Sequence, residues 1–134
     1  MPTPIGPFNL TATFLKLRTD SLVEPLPVTP DFWQKLMTGA IEFVSHDRLV
    51  TMMSYDSSWP TSEMHPNGDE VVCLLSGRTT MVLFVDGREK LVELTEPGAY
   101  VVVPKGTWHT ARTNVKCTML FITAGEGTQN RKNA

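Results

Sequence analysis

From Ile41 to Thr123 the chain alternates short runs rich in Val, Leu, Phe and Thr with turn residues, at a spacing too tight for helices of ordinary length. Strands are expected near 41–46, 49–56, 69–76, 79–85, 89–94, 100–103, 108–113 and 116–123. Ser76-Gly77 and Asp86-Gly87 read as hairpin turns between adjacent strands, because glycine supplies the positive φ that a tight reversal needs. Glu96-Pro97-Gly98 marks another turn. Many short strands of this kind close into an all-β sandwich or barrel, and closure removes the free edges that invite aggregation.

The N-terminal third is different. Residues 1–9 hold three prolines and one glycine, which suits an extended arm. A first strand is expected within Leu10 to Arg18. After a proline-rich stretch from Glu24 to Pro30, Thr29-Pro30-Asp31 reads as a helix start. Phe32, Trp33, Leu36 and Met37 follow at helical spacing, with Gly39 placed to stop a helix of one and a half to three turns. Residues 125–134 lack any large apolar side chain and are expected to be a flexible tail. Length and the lack of a repeat suggest one domain over 1–134.

Composition removes several function classes. Apolar residues make up 41% and charged residues 19% of 134, a globular balance. Twelve Lys and Arg against 14 Asp and Glu leave a formal charge of -2 with no basic run, so nucleic acid is not an expected partner. Val71 to Leu75, Met81 to Val85 and Ala99 to Val103 are each far shorter than the roughly 20 residues of a membrane helix, so no membrane partner is expected. The N-terminus has neither the basic start nor the apolar core of a secretion signal, which makes the cytoplasm the expected compartment. Cys73 and Cys117 sit in apolar strand-like segments and read as two reduced core thiols.

Neutral imidazole is the commonest metal ligand, so the three histidines carry the chemical question. His46, beside Asp47 and Arg48 in a polar turn, reads as solvated. His65 and His109 each follow a turn-forming segment and stand at the mouth of an expected strand. In an extended chain Glu63 and His65 project the same way, and the Pro66-Asn67-Gly68 turn brings Glu70 back towards His65. His109 must arrive from a distant strand. Surface His and Glu residues near turns are common, so by spacing alone an incidental cluster and a metal site both remain open.

The two segments resemble the paired motifs of the cupin superfamily. The first motif runs glycine, five residues, His-x-His, three or four residues, Glu, six residues, Gly; here His65, Glu70 and Gly77 fall on it. The second runs Gly, five residues, Pro-x-Gly, two residues, His, three residues, Asn; here Gly98, Pro104, Gly106 and His109 match. Ser57 replaces the opening glycine, and Thr113 stands at the closing asparagine with Asn114 one place late. The departure with chemical weight is Glu63 at the first histidine position.

The resemblance implies a double-stranded β-helix, or jelly-roll, barrel with one short N-terminal helix. It also implies one divalent metal ion inside, held by His65, Glu70 and His109, with Glu63 as a fourth ligand. Two carboxylates and two neutral imidazoles around such an ion carry no net charge, where the usual set leaves +1. The ion is then a weaker Lewis acid, and the oxygen donors tilt preference towards Mn or Fe while Zn and Ni stay open. The expected partner is a small oxygen-bearing metabolite in a dioxygenase, isomerase, epimerase or lyase reaction. The alternative is a non-catalytic cupin whose metal rigidifies the barrel. A homodimer formed through outer sheets, aided by the N-terminal arm, is also expected. Among other candidates, Trp59, Trp108, Tyr100 and Phe121 read as barrel wall and Met52, Met53 and Met64 as ordinary packing. Arg48, Lys105 and Arg112 read as surface cations.

Overall fold

The computed structural model describes residues 4–133. Eleven strands and one helix follow in the order β1 (Thr13–Leu17), β2 (Val23–Pro27), α1 (Phe32–Thr38), β3 (Arg48–Tyr55), β4 (Thr61–Met64), β5 (Glu70–Ser76), β6 (Thr79–Val85), β7 (Arg88–Leu94), β8 (Tyr100–Val103), β9 (His109–Arg112), β10 (Cys117–Thr123) and β11 (Gln129–Lys132). They form two antiparallel sheets, β2-β1-β3-β10-β5-β8 and β11-β4-β9-β6-β7, the all-β jelly-roll with one short helix that the sequence implied.

Alternation along the strands puts apolar side chains between the sheets. In β5, Glu70, Val72 and Leu74 point inward while Val71 and Cys73 do not. Val72, Leu74, Met81, Leu83, Val103 and Met119 meet in the larger core. A second core lies under the helix, where Phe32 is fully buried and meets the Phe14 ring edge to face, centroids 5.3 Å apart. Gly39 closes α1 in the left-handed conformation, as its position predicted.

Several expectations need correction. Residues 41–46 form no strand; Asp47 is buried there and its carboxylate accepts the amides of Val44 at 2.9 Å and Thr19 at 3.0 Å, holding an irregular loop. The proline-rich stretch contains strand β2, and the extended segment before His65 is strand β4. Ser76-Gly77 is not a hairpin: β5 and β6 lie in different sheets, and the turn carries the chain from one to the other. Asp86-Gly87 does close the β6–β7 hairpin, with φ of 52° and 74°. The tail expected to be flexible instead forms β11, which pairs with β4 from Gln129↔Met64 to Lys132↔Thr61. Residues 1–3 of the expected arm and Ala134 of the tail lie outside the described residues; 4–9 belong to no strand or helix. Cys117 is a buried free thiol, whereas Cys73 lies half-buried on the outer face of β5.

Gly77 has φ 76°, and a Cβ placed there would run into the carbonyl of Lys116. Both the left-handed backbone and the close approach forbid a side chain. Gly77→Ala should destabilise the fold by about 2–3 kcal/mol in urea titration with the m value unchanged. A loss below about 0.5 kcal/mol would show that the turn relaxes freely.

Candidate metal centre

One end of the barrel gathers side chains from four separate places. Glu63 lies in β4 and His109 opens β9, and the two are direct cross-strand partners. His65 follows β4 by one residue on the same face as Glu63. Its carbonyl accepts the Gly106 amide at 3.0 Å, while Asp69 accepts the Lys105 amide at 2.8 Å, so the Pro104–Gly106 turn is stitched to the loop that carries His65. Glu70 opens β5 with its side chain inward.

The four residues singled out from sequence therefore converge. Donor atoms of Glu63, His65 and His109 lie within 4.8 Å of one another. Glu70 sits between the two rings, with Oε1 3.0 Å from His109 Nε2 and Oε2 3.2 Å from His65 Nε2. Glu63 Oε2 stands 3.7 Å from His65 Nε2. His65, Glu70 and His109 are buried; Glu63 is the half-exposed member. His46 stays on the surface, as expected.

Hydrogen bonds on the far side of each ring decide what these nitrogens can do. His109 Nδ1 faces the Thr107 carbonyl at 3.0 Å. A carbonyl only accepts, so Nδ1 carries the proton and the neutral ring turns an Nε2 lone pair towards Glu70. His65 Nδ1 lies 2.8 Å from Thr128 Oγ1, whose own proton goes to the Gly125 carbonyl at 2.8 Å. That hydroxyl must accept from Nδ1, so His65 likewise points a lone pair inward. Glu70 Oε2 also accepts from Thr123 Oγ1 at 2.6 Å.

The centre thus aims acceptors at acceptors. Despite their short separations, His65 Nε2, His109 Nε2 and Glu70 Oε1 have no aligned hydrogen bond. With Trp59 Nε1, they are the buried side-chain polar atoms left without a partner among the described residues. Orphaned buried groups cost free energy unless something satisfies them. A positive charge is what such a cluster needs, and a divalent cation with N and O donors fits it.

Ionisation reflects the same crowding. Burial alone would raise the Glu70 carboxyl, but the His109 and His65 rings beside it outweigh burial and hold it down at about 2. Burial pulls the His109 ring down, yet Glu70 and the Thr107 carbonyl raise it above its ordinary value. Glu63 is raised by burial and by the Glu70 charge, against the opposing pull of the two histidines. Burial, helped by the charges of Glu63, Glu70 and Cys117, pushes the Tyr55 phenol up to about 12.

A cavity of about 810 Å³ runs from Glu63, His65 and Glu70 to solvent. Trp59 and Phe121, expected as wall, line it along with Tyr55 and Met53; Tyr100 is exposed elsewhere, and Arg131 lies over Trp108 at 4.1 Å. Arg48, Lys105 and Arg112 are absent from its lining, as their surface reading anticipated. Thr123 and Thr128 were not foreseen, and Thr128 lies in the segment read as a loose tail. Their signal is weak in sequence, since a threonine near a chain end has no motif attached.

No protein-family model matches the chain, and neither does any curated protein sequence. Solved structures do match. An oxalate oxidase superposes with a TM-score of 0.51 at 13% identity, covering 60% of this chain and 44% of its own. Oxalate decarboxylase of Bacillus subtilis gives 0.50 at 18%, covering 64% and 23%. A cupin-2 domain containing protein from Shewanella frigidimarina gives 0.48 at 21%, covering 60% and 72%. This chain spans less than half of the oxidase and under a quarter of the decarboxylase. At such identities the likeness carries the fold, which is the cupin barrel, and nothing finer.

In metal-free protein the shifts fix a pH dependence. The depressed Glu70 carboxyl contributes stability that is present above its ordinary 4.5 and lost as pH falls through about 2. The raised His109 contributes stability that is complete below 6.5 and lost as pH rises through its folded value. The raised Glu63 carboxyl contributes stability that is complete below its ordinary 4.5 and lost as pH rises through its folded value. Thermal melts in chelator should therefore decline in acid below about 4.5 and again as pH rises above about 6.5. A melting temperature that climbs steadily to pH 8 would contradict this ionisation scheme.

Proposed function

We propose that Glu63, His65, Glu70 and His109 hold one divalent metal ion, and that the protein is a metal-dependent enzyme acting on a small oxygen-bearing metabolite. The observation that carries this reading is the trio of buried, unpartnered acceptors, His65 Nε2, His109 Nε2 and Glu70 Oε1, turned towards one another by the hydrogen bonds behind both rings. Mn(II) centres are described in the Bacillus subtilis decarboxylase of the same fold, and oxygen-rich donors favour Mn or Fe here, with Zn and Ni as further candidates.

When bound, the ion supplies Lewis acidity towards an oxygen of the ligand. The chain supplies the rest. His65 and His109 are fixed as inward acceptors by Thr128 and the Thr107 carbonyl, so little reorganisation precedes binding. Glu63, half-exposed at the cavity wall, is the carboxylate placed to take or return a proton. Tyr55, in the cavity wall, stays a phenol at neutral pH, and its hydroxyl donates to Met53 Sδ at 3.7 Å. A purely structural metal would be enclosed on all sides, whereas this cluster opens onto a solvent-connected cavity that also holds polar groups outside the donor set, among them Thr51 and Asn130.

The two unpaired thiols suit a reducing compartment such as the cytoplasm. A homodimer fits the outer face of the six-stranded sheet. Tyr100 and Val102 on its β8 edge are exposed, and they continue into half-buried Cys73, Val71, Leu120 and Ile122 on the neighbouring strands. Sedimentation equilibrium should give a dimer, and Val102→Glu with Tyr100→Glu should shift it to monomer. A wild-type monomer at high concentration removes this assignment.

Elemental analysis of untagged protein should find about one Mn, Fe, Zn or Ni per chain. At a free metal concentration ~100-fold above Kd the gain is about 2.7 kcal/mol, which for a chain of this size raises the melting temperature by about 8 °C. His109→Ala should abolish uptake, Glu63→Ala should weaken it, and Thr128→Val should lower affinity about tenfold by releasing the His65 ring. Metal retained near one per chain in both Glu63→Ala and His109→Ala would refute the donor set.

A further inference from the structure

The cavity has two unlike ends. At the inner end stand Glu63, His65 and Glu70 with Thr51 and Thr123, and His109 lies buried against Glu70. At the outer end α1 and the loop after it contribute Trp33, Leu36, Met37, Ile41 and Phe43. Trp33 packs against Phe14 and Phe32 yet is 45% exposed, and Met37 is 86% exposed, so both leave apolar surface at the opening. Large apolar groups left in solvent beside a concave site mark a surface that binds something apolar.

Charge narrows the class. Among the described residues no Lys or Arg lines the cavity, and its ionisable acidic members are Glu63, Glu70 and Glu126, with His65 beside them. Two carboxylates and two neutral imidazoles cancel a divalent ion, so a dianionic ligand would enter with no surplus positive charge to offset either of its own, a heavier penalty than a neutral or singly charged ligand meets. Small dicarboxylates are therefore poor candidates, although the neighbours in fold are an oxalate oxidase and an oxalate decarboxylase.

We propose that the site takes a neutral or singly charged molecule whose apolar body, a ring or an alkyl chain of several carbons, lies against α1 while an oxygen pair at its other end chelates the ion. The proposal rests on the metal reading above and adds the ligand class. A cavity of about 810 Å³ lies within the ~300–1,000 Å³ range of sites that enclose a molecule of drug size, and far exceeds what a two-carbon diacid fills. The lip formed by Met37 and Trp33 reads the body; the polar floor reads the head.

A chelator series separates the two ends. Acetohydroxamate and octanohydroxamate share one bidentate head that chelates with a single negative charge and differ by six methylenes, and oxalate is a dianionic bidentate head with no body. Calorimetric titration of Mn(II)-loaded protein should find octanohydroxamate bound at least ~30-fold more tightly than acetohydroxamate, since each buried methylene contributes several-fold in affinity, and oxalate bound most weakly. Met37→Ser, at an exposed position that leaves folding intact, should narrow the ratio between the two hydroxamates, and Trp33→Ser should narrow it further. If the protein takes up Mn(II) but binds both hydroxamates within threefold, or prefers oxalate, the ligand class is wrong and the metal site stands. If no Mn(II) or other divalent ion is taken up, the donor set itself fails and the chelating half of this proposal falls with it.

Discussion

Two imidazole lone pairs aimed at a buried carboxylate make an arrangement that cannot rest as it is. At 3.0 and 3.2 Å, the nitrogens of His109 and His65 and the oxygens of Glu70 are close enough for strong interaction, yet the neutral rings and the ionised carboxylate all present acceptors. A proton on a ring relieves part of the conflict, which is why the His109 ring holds its proton more firmly than a free imidazole. A divalent ion relieves all of it. Much of the local architecture maintains the conflict: the β4–β9 register sets Glu63 opposite His109, the Gly106 amide fixes the His65 backbone, and Thr128 and Thr107 fix both tautomers.

The residues that form this centre were legible because a motif constrains both chemistry and spacing. His65, Glu70 and His109 each sit next to a glycine or proline turn, and the turn dictates where the side chain goes. Gly106 shows how: with φ 79° it lets the loop after β8 curl back so that its amide reaches the carbonyl of His65. Long apolar strands such as β6 were equally plain, since alternation and the Asp86-Gly87 turn agree.

What sequence hid were elements held by backbone pairing without an apolar signal. Pro25 and Pro27 argued against a strand, yet β2 is the outermost strand of its sheet, where a missing amide on the solvent side costs nothing. β11 is wholly exposed and polar, so hydropathy reads it as tail. It is held by its ladder to β4, by Arg131 stacked on Trp108, and by the Asn133 side-chain amide donating to the Trp59 carbonyl at 2.9 Å. The Ser76-Gly77 turn misled for another reason: a glycine turn reports a sharp change of direction, and whether the next strand returns alongside or crosses to the other sheet depends on contacts far away in sequence.

The tail and the helix together bear on how one barrel serves different ligands. The strands fix where a cation can sit, but Gly125 to Thr128 and α1 build much of the wall between that point and solvent. Neither belongs to the motif-bearing strands, and the side chains that each turns to the cavity suit apolar contact or hydrogen bonding and carry no positive charge. A cluster whose donors already cancel the ion, approached through a wall without cations, attracts dianions weakly whatever the shape of the barrel. The exchange of one histidine for Glu63 and the apolar lip at Met37 therefore act in the same direction. The first removes the surplus charge that would hold an anionic head, and the second offers area to an uncharged body. In the reading proposed here ligand choice follows from these two additions, and the barrel beneath them leaves it open.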